Sequence, residues 1–210
     1  MKHTPQYVVN GSQVMSDLEQ AFAAQSGQIG VHLGHSPWIL IDQARIDAFA
    51  EITEDQQFIH VDPARARAET SFEGTVAHGF LTLSMASRMA QDTLPNLPGQ
   101  VMNLNAGFDR LRFISPLPSG RRIRGAFILK DVTKTQANHL RIVTELTVEI
   151  EHSDTPARVA DWSNVAVFSA PQPSHEARQI GAKPFTNMIL NASAHICSTM
   201  WPNFLDWRRS

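Results

Sequence analysis

The chain has 210 residues, 42% of them hydrophobic and 18% charged, a composition that favours one compact domain with an appendage over two full domains. Its 18 Lys and Arg nearly balance 20 Asp and Glu, so we expect neither nucleic acid nor an anionic membrane as a partner. The single cysteine, Cys197, excludes an intramolecular disulfide and a Cys/His zinc site, and no segment reaches the length of a signal peptide or a membrane span, so we expect a cytoplasmic protein.

Helices and one short strand are predicted in the amino-terminal part of the chain. Residues 12–25 have helical spacing of apolar residues, with Ser12 as a candidate N-cap and Gly27 beyond the end. An extended apolar run follows at residues 38–41, and a second helix is predicted from Asp42 onward. One face of that second helix carries Ile46, Phe49 and Ala50.

The next predicted elements are a short helix and a longer apolar one. Asp62 followed by Pro63 supplies a side-chain cap and a proline at the first helical position, which predicts a helix over residues 64–69. Residues 75–91 are apolar on nearly every side, a pattern typical of a helix buried all round. We therefore expect residues 75–91 to form the central helix of the fold.

Strands dominate the second half of the sequence. Residues 139–151 alternate apolar and polar side chains with the period of a half-buried strand, and residues 101–115, 121–133 and 157–169 show weaker versions of this pattern. Turn residues at 119–120 and 153–156 separate them. This order predicts an α+β domain in which an antiparallel sheet wraps around a central helix. Residues 171–210 have no clear periodicity and form a tail of unknown role.

The densest polar cluster in an apolar neighbourhood spans residues 54–62, between two predicted helices. In a turn, Asp55 and His60 can converge on one water molecule, and a carboxylate with a near-neutral imidazole is a competent acid and base. Such a pair can add water across a polarised double bond. Residues 77–79 lie near the start of the apolar helix, whose backbone N–H groups can stabilise negative charge on a thioester carbonyl, and Gly79 permits a close approach.

Each of these residues also has a purely structural interpretation. Asp55 can serve as a helix cap, and Asp62 is expected to do so. His60, between two β-branched residues, can be a partly buried structural histidine, and His78 can make only a local hydrogen bond. Gly79 can be a packing glycine where the helix crosses a strand. Spacing alone leaves the function undecided.

A basic stretch also has two interpretations. Arg121, Arg122 and Arg124 lie within four residues and can form a patch that contacts the phosphates of a nucleotide-bearing substrate. Alternatively, they are the charged side chains of a solvated strand edge, which prevent aggregation.

The stretch ITEDQQFIHVDPARARAETSFEGTVAHGFLTLSM resembles the signature of MaoC-like dehydratases and (R)-specific enoyl-CoA hydratases. That signature reads Asp-x-Asn-Pro-Ile/Leu-His-x-Asp and, after a gap, His-Gly-Met/Phe. With SPWILIDQARIDAFAEIT before it, the sequence is most similar to the branch named for nodulation protein N, and the resemblance covers about residues 31–168. It implies a hot-dog fold over residues 31–170, with residues 1–30 as a helical extension.

The resemblance implies a role for three residues and a reaction. Asp55 and His60 match the catalytic acid/base pair of the family, and Gly79 matches the glycine whose amide binds the thioester oxygen. The implied reaction is reversible syn addition of water to a trans-2-enoyl thioester, which gives an (R)-3-hydroxyacyl product. The family implies no metal and no redox cofactor, since coenzyme A enters as part of the acyl-CoA substrate, and it usually works as a homodimer.

Further positions either contact substrate in the family or depart from its pattern. Gln57, His78 and Phe80 are expected to bind substrate. Glu54 stands where the family has glycine, and Gln57-Phe58 stand where it has Asn-Pro. These departures leave two alternatives to a hydratase: a hot-dog acyl-CoA thioesterase in which Asp55 activates water against the carbonyl carbon, or a non-catalytic acyl-CoA-binding subunit.

Overall fold

The computed structural model describes residues 15–169. The predicted cap Ser12 and the tail from Pro171 onward lie outside the described residues. The first helix begins at Asp17, and Ser16 is its N-cap, with its hydroxyl accepting from the Glu19 N–H at 3.3 Å. The predicted start at Ser12 is therefore wrong by four residues.

Six helices and six strands occupy the described residues. In chain order they are α1 (Asp17–Ser26), β1 (His32–His35), β2 (Ile39–Ile41), α2 (Gln43–Thr53), α3 (Phe58–Val61), α4 (Pro63–Glu69), α5 (Gly79–Ser84), α6 (Ala86–Thr93), β3 (Gln100–Phe113), β4 (Arg121–Gln136), β5 (His139–Ile150) and β6 (Arg158–Phe168). None of the helices in this part of the chain combines the length and apolar character needed to cross a bilayer.

Two predicted helix starts are confirmed, and one short helix was not predicted. The Asp42 carboxylate accepts from the Arg45 N–H at 3.0 Å, and Asp62 accepts from the Arg65 N–H at 3.0 Å. Each cap satisfies a backbone donor that the first helical turn leaves without a partner. Between them, the single turn α3 stands where the sequence analysis predicted only a loop.

All strands form one antiparallel sheet, as predicted. The strand order is β1-β4-β5-β6-β3, and β2 also pairs with β4. Strand β5 lies in the middle, and its inward-facing residues Leu140, Leu146 and Val148 are fully buried. The alternation along residues 139–151 thus marks the central strand of the sheet.

The helix predicted over residues 75–91 is shorter and less buried than expected. Residues 75–78 are extended, because backbone N–H groups there bond to Ile59 and Leu117 rather than within a helix. The remainder divides at Met85 into α5 and α6. Thr82 and Ser84 side chains donate to carbonyls three residues back, which competes with the backbone pattern of a continuous helix.

The core lies between the sheet and the helices on one face. Ile46 of α2, Met89 of α6 and Phe127 of β4 are fully buried in one cluster with Trp162 of β6. A second cluster joins Leu18 and other residues of α1 to strands β4, β5 and β6. The first helix therefore packs on the same sheet as the rest of the described domain.

Candidate active site

The turn that carries Asp55 begins with a residue in the left-handed region. Glu54 ends α2 with φ 60° and ψ 18°. A residue with a Cβ pays about 1–2 kcal/mol in this conformation, and glycine does not. This explains physically why glycine suits the position, and the exposed Glu54 side chain shows that the departure affects the backbone rather than the interior of the site.

His60 is buried on α3 with one ring nitrogen fixed. Its Nδ1 lies 2.6 Å from the Val76 carbonyl oxygen, and since a carbonyl can only accept, Nδ1 carries the proton and Nε2 keeps a lone pair. Burial lowers the pKa of His60, the bond to Val76 opposes that shift, and His78 lowers the pKa further. The Asp55 charge raises it by a smaller amount. His60 is therefore neutral over a wider pH range than a free histidine.

His78 lies directly against His60. It is 2% exposed, its ring stacks on the His60 ring with centroids 3.8 Å apart, and the Phe49 ring packs against the His78 ring with centroids 5.1 Å apart. Its Nε2 donates to the backbone carbonyl of Asp55 at 2.9 Å and lies 3.9 Å from the Asp55 carboxylate. The buried His78 thus lies on the inner side of the Asp55 turn, and its hydrogen bond to the Asp55 carbonyl holds that turn in position.

The structure brings the predicted acid and base together. A carboxylate oxygen of Asp55 and ring nitrogens of His60 and His78 all lie within 4.8 Å of one another. A water that is hydrogen-bonded to two groups at about 2.8 Å each bridges a gap of this size. By distance alone these three residues can also hold a metal ion, although the ring nitrogens that donate to Val76 and Asp55 carbonyls are protonated and are not ligands.

Gly79 begins α5 immediately after His78. A Cβ built on it would lie 2.9 Å from the Phe113 ring, which is too close for any side chain without movement of that ring. Phe80 meets the same Phe113 ring edge-on at 5.8 Å and is 68% exposed. The absence of a side chain at Gly79 thus leaves room for the Phe113 ring, while the Gly79 N–H, at the first position of the helix, has no partner within the helix.

The remaining predicted position is Gln57. Gln57 is the N-cap residue of α3, and its backbone carbonyl accepts from the His60 N–H at 2.9 Å. Its side chain is exposed and makes no capping bond. The structure thus places Gln57 at the open side of the turn, and His78 at its buried side.

A profile described as the MaoC like domain matches residues 23–151 of this sequence, which is more than half of the chain. The chain belongs to the MaoC-like domain family. This confirms the resemblance carried by the motif around Asp55 and His60.

Two curated relatives of this chain align with it over most of their own lengths. Nodulation protein N of Rhizobium meliloti (strain 1021) is 49% identical over 144 residues, covering 69% of this chain and 89% of the relative. A 3-hydroxyacyl-thioester dehydratase Z of Mycobacterium tuberculosis is 36% identical over 142 residues, covering 68% and 93%. The similarity to the nodulation protein N branch is therefore confirmed.

A solved MaoC-like structure confirms the fold. The MaoC-like dehydratase from Rhodospirillum rubrum superposes with a TM-score of 0.57 at 22% identity and covers 69% of this chain and 94% of its own. The antiparallel sheet with helices on one face is a hot-dog fold of the α+β class, as predicted.

One positioning residue of this MaoC-like site was not predicted. Gln43, the first residue of α2, donates through its side-chain amide to the His60 carbonyl at 2.7 Å, and its oxygen accepts from the Thr75 hydroxyl. It thereby joins α2, α3 and the segment before His78. A glutamine at the start of a helix gives no sequence signal of such a role, because both partners are distant along the chain.

The basic stretch does not lie at a strand edge, because β4 pairs with β1 and β2 on one side and with β5 on the other. Its contact with the phosphates of a substrate stays a prediction. Arg122 donates to Glu151 at 2.7 Å, and Arg124 donates to Glu149 at 2.7 Å while its guanidinium lies 4.5 Å from the centre of the Trp38 ring. Both arginines are thus neutralised by glutamates across the β4–β5 pair, which is the arrangement of a charged strand surface.

A buried arginine lies beside Phe113. Arg158 is 1% exposed, and its guanidinium carbon lies 5.3 Å from the centre of the Phe113 ring. Burial lowers the pKa of Arg158 to about 10. The group stays protonated at neutral pH, so a positive charge lies next to the aromatic ring that contacts Gly79.

Proposed function

We propose that this MaoC-like protein is an acyl-thioester hydratase/dehydratase that reversibly adds water to trans-2-enoyl-CoA and gives (R)-3-hydroxyacyl-CoA. The observation that carries the proposal is the convergence of an exposed carboxylate, Asp55, with a buried imidazole, His60, whose Nε2 keeps a free lone pair. The name of the mycobacterial relative, a 3-hydroxyacyl-thioester dehydratase, supports the same reaction class.

In the proposed hydration, one water is held between Asp55 and His60. The pair removes a proton as the water oxygen bonds to C3 of the enoyl group, and the electrons of the double bond move toward the thioester carbonyl. The Gly79 N–H donates to that carbonyl oxygen and stabilises the charge that develops there. The pair then returns a proton to C2 from the same face, so that one water is added and the pair is restored.

His78 and Gln57 have supporting roles in this proposal. His78 is a positioning residue, because its hydrogen bond fixes the Asp55 carbonyl and its ring supports the His60 ring. Gln57, exposed beside the pair, stands where an amide is usual in the family and is proposed to contact the substrate. Phe80 and Phe49 line a cavity of about 360 Å³ next to α5, where the acyl chain begins.

We further propose that the protein acts as a homodimer through β3. This strand is the last of the sheet order, and within residues 15–169 its outer edge pairs with no other strand. Val101, Met102 and Phe113 are each about half exposed along it. Exposed apolar side chains on an open strand edge favour pairing with another strand, and a second copy supplies one by symmetry.

The test of the reaction is a dual assay on crotonyl-CoA and longer trans-2-enoyl-CoAs. Loss of the conjugated enoyl-thioester absorbance without release of free thiol is the expected result. Release of thiol would instead identify a thioesterase. Acyl-CoA binding without either change would identify a non-catalytic binding subunit and contradict the proposal.

A further inference from the structure

A cavity beside α6 has an unexpectedly polar wall. It measures about 590 Å³ and lies between α6, the end of α1 and the helix-facing side of the sheet. Leu33, Leu94 and Ile142 supply apolar lining, as a site for an alkyl chain requires. The sheet side also supplies Asn103, Asn105, Thr144, Trp162 and Asn164.

Three of these wall residues carry buried polar atoms with no hydrogen-bonding partner in the described part of the chain. They are Thr144 Oγ1, Trp162 Nε1 and Asn164 Oδ1, and their residues are 2%, 2% and 9% exposed. Leaving a buried polar atom without a partner costs about 1–3 kcal/mol. Because the three residues line one cavity, an occupant of that cavity is one way to complete their hydrogen bonds.

The strand register brings these groups together. Thr144 pairs directly with Trp162, and Asn164 pairs with Ile142 on one side and Asn105 on the other. Thr144, Trp162 and Asn164 thus form one patch on the adjacent strands β5 and β6. The Trp162 ring is held by stacking on Phe108 at 5.6 Å, which fixes the direction of its N–H.

The cavity at this polar patch shares lining residues with the smaller cavity beside α5. The smaller cavity beside α5 is lined by Phe49, which contacts His78, and by Phe80, which follows Gly79. Ser87 and Asn105 line both the smaller and the larger cavity. The two cavities are therefore neighbours, and a chain that occupied both would have its distal part at the polar wall.

We propose that the substrate is an acyl thioester whose chain carries a hydroxyl group distal to the reacting carbons, and this inference rests on the proposed function. The unpartnered atoms include an N–H donor at Trp162, a carbonyl acceptor at Asn164 and a hydroxyl at Thr144. A hydroxyl both donates and accepts, so a single group completes bonds to both kinds of partner. A plain alkyl chain leaves them unpartnered, and a site built for hydrogen bonding rejects such an analogue.

The test compares binding of saturated acyl-CoAs, which cannot be hydrated. Calorimetry with decanoyl-CoA and with decanoyl-CoA that carries a hydroxyl at successive distal carbons gives the ratio of the two dissociation constants. We expect the best hydroxylated ligand to bind about tenfold more tightly, as one or two net hydrogen bonds provide. Equal binding, or a preference for the plain alkyl chain at every hydroxyl position, overturns the inference.

Variants of the wall residues test whether these residues cause the preference for a hydroxylated chain. Thr144→Val and Asn164→Leu conserve volume and remove the polar atoms, so together they should abolish the preference while binding of decanoyl-CoA is kept or strengthened. Thr133→Val, at an exposed position of β4 that does not line the cavity, is the control and should preserve the preference. A preference that survives in the double variant contradicts the inference.

Because binding is measured without turnover, the two proposals fail separately. Hydration of plain enoyl-CoAs with no preference for a hydroxylated chain would refute only the assignment of the substrate class. A preference for hydroxylated chains with no hydration of any enoyl-CoA would refute only the proposed reaction.

Discussion

The turn around Asp55 and the polar wall of the large cavity differ in how far their buried polar groups are bonded within the protein. In the turn, each histidine has one ring nitrogen bonded within the protein: His60 donates to Val76 and His78 donates to Asp55, while His78 Nδ1 has no partner among the described residues. On the wall, Thr144, Trp162 and Asn164 each leave a buried polar atom without a partner among the described residues. The first region is preorganised for chemistry, and the second depends on an occupant for its hydrogen bonds.

The test with the largest expected effect asks whether the turn performs acid/base chemistry. Asp55→Asn and His60→Ala should each lower kcat/KM for enoyl-CoA hydration by about two to four orders of magnitude, since each removes a positioned proton-transfer group. Asp62→Asn is the matched control, because Asn also caps α4 and this carboxylate is not part of the pair. Comparable activity in Asp55→Asn and the unmodified protein would show that the turn has only a structural role.

His78→Phe tests whether the bonds within the turn position the pair. Phenylalanine keeps a ring against His60 but removes the hydrogen bond to the Asp55 carbonyl, and misplacement of a catalytic group costs up to about 100-fold in rate. We expect kcat to fall within that range while the binding of saturated acyl-CoA is retained.

The pH profile of the same variant distinguishes positioning from general damage. His60 acts as a base only when neutral, so the rate falls as the pH drops through its pKa, which burial and His78 hold below the ordinary 6.5. Loss of His78 removes one of the groups that lower this pKa. The acidic limb should therefore move to higher pH, and an unchanged limb with reduced kcat would contradict the electrostatic part of the argument.

Gly79→Ala tests whether the close approach of Gly79 to the Phe113 ring is needed for activity. The new methyl group would collide with the Phe113 ring at 2.9 Å and shift the start of α5, so we expect a loss of about tenfold in kcat/KM. Adding Phe113→Leu should recover most of the loss, because the Gly79 N–H survives in the alanine variant. A double variant as impaired as the single one would show that the glycine is needed for a reason other than contact with Phe113.

The difference between the two regions also explains what the sequence could predict. Asp42, Asp62 and the Asp55-to-His60 spacing are local patterns, and their caps and convergence are present in the structure. The polar wall joins residues from β5 and β6, and only the strand register brings Thr144 next to Trp162. Sequence patterns without pairing information cannot place such residues together.

The prediction of one continuous helix over residues 75–91 was wrong for a related reason. Apolar composition predicted burial on all sides, but it carried no information on where backbone hydrogen bonds would go. The backbone N–H groups of Val76 and Ala77 donate to the carbonyls of Ile59 and Leu117. The helix therefore begins only at Gly79. This later start of the helix places His78 and Gly79 beside the turn.

The smallest expected effect concerns the backbone at the entrance of the turn. Glu54 occupies the left-handed region at φ 60°, so Glu54→Gly should raise the free energy of unfolding by about 1 kcal/mol, the cost of the Cβ less the greater freedom of glycine in the unfolded chain. Glu51→Gly, within α2, should lower it by a similar amount. Urea unfolding measures both.

Glu54→Gln separates the backbone from the charge. Glutamine keeps the Cβ in the left-handed conformation and removes the carboxylate, so no gain in stability is expected from it. A gain equal to that of Glu54→Gly would assign the cost to charge next to Asp55 instead of backbone strain. If only the glycine variant gains, the carboxylate of Glu54 is tolerated at this exposed position, and the departure from the family pattern weakens the fold of the turn without changing its acid/base pair.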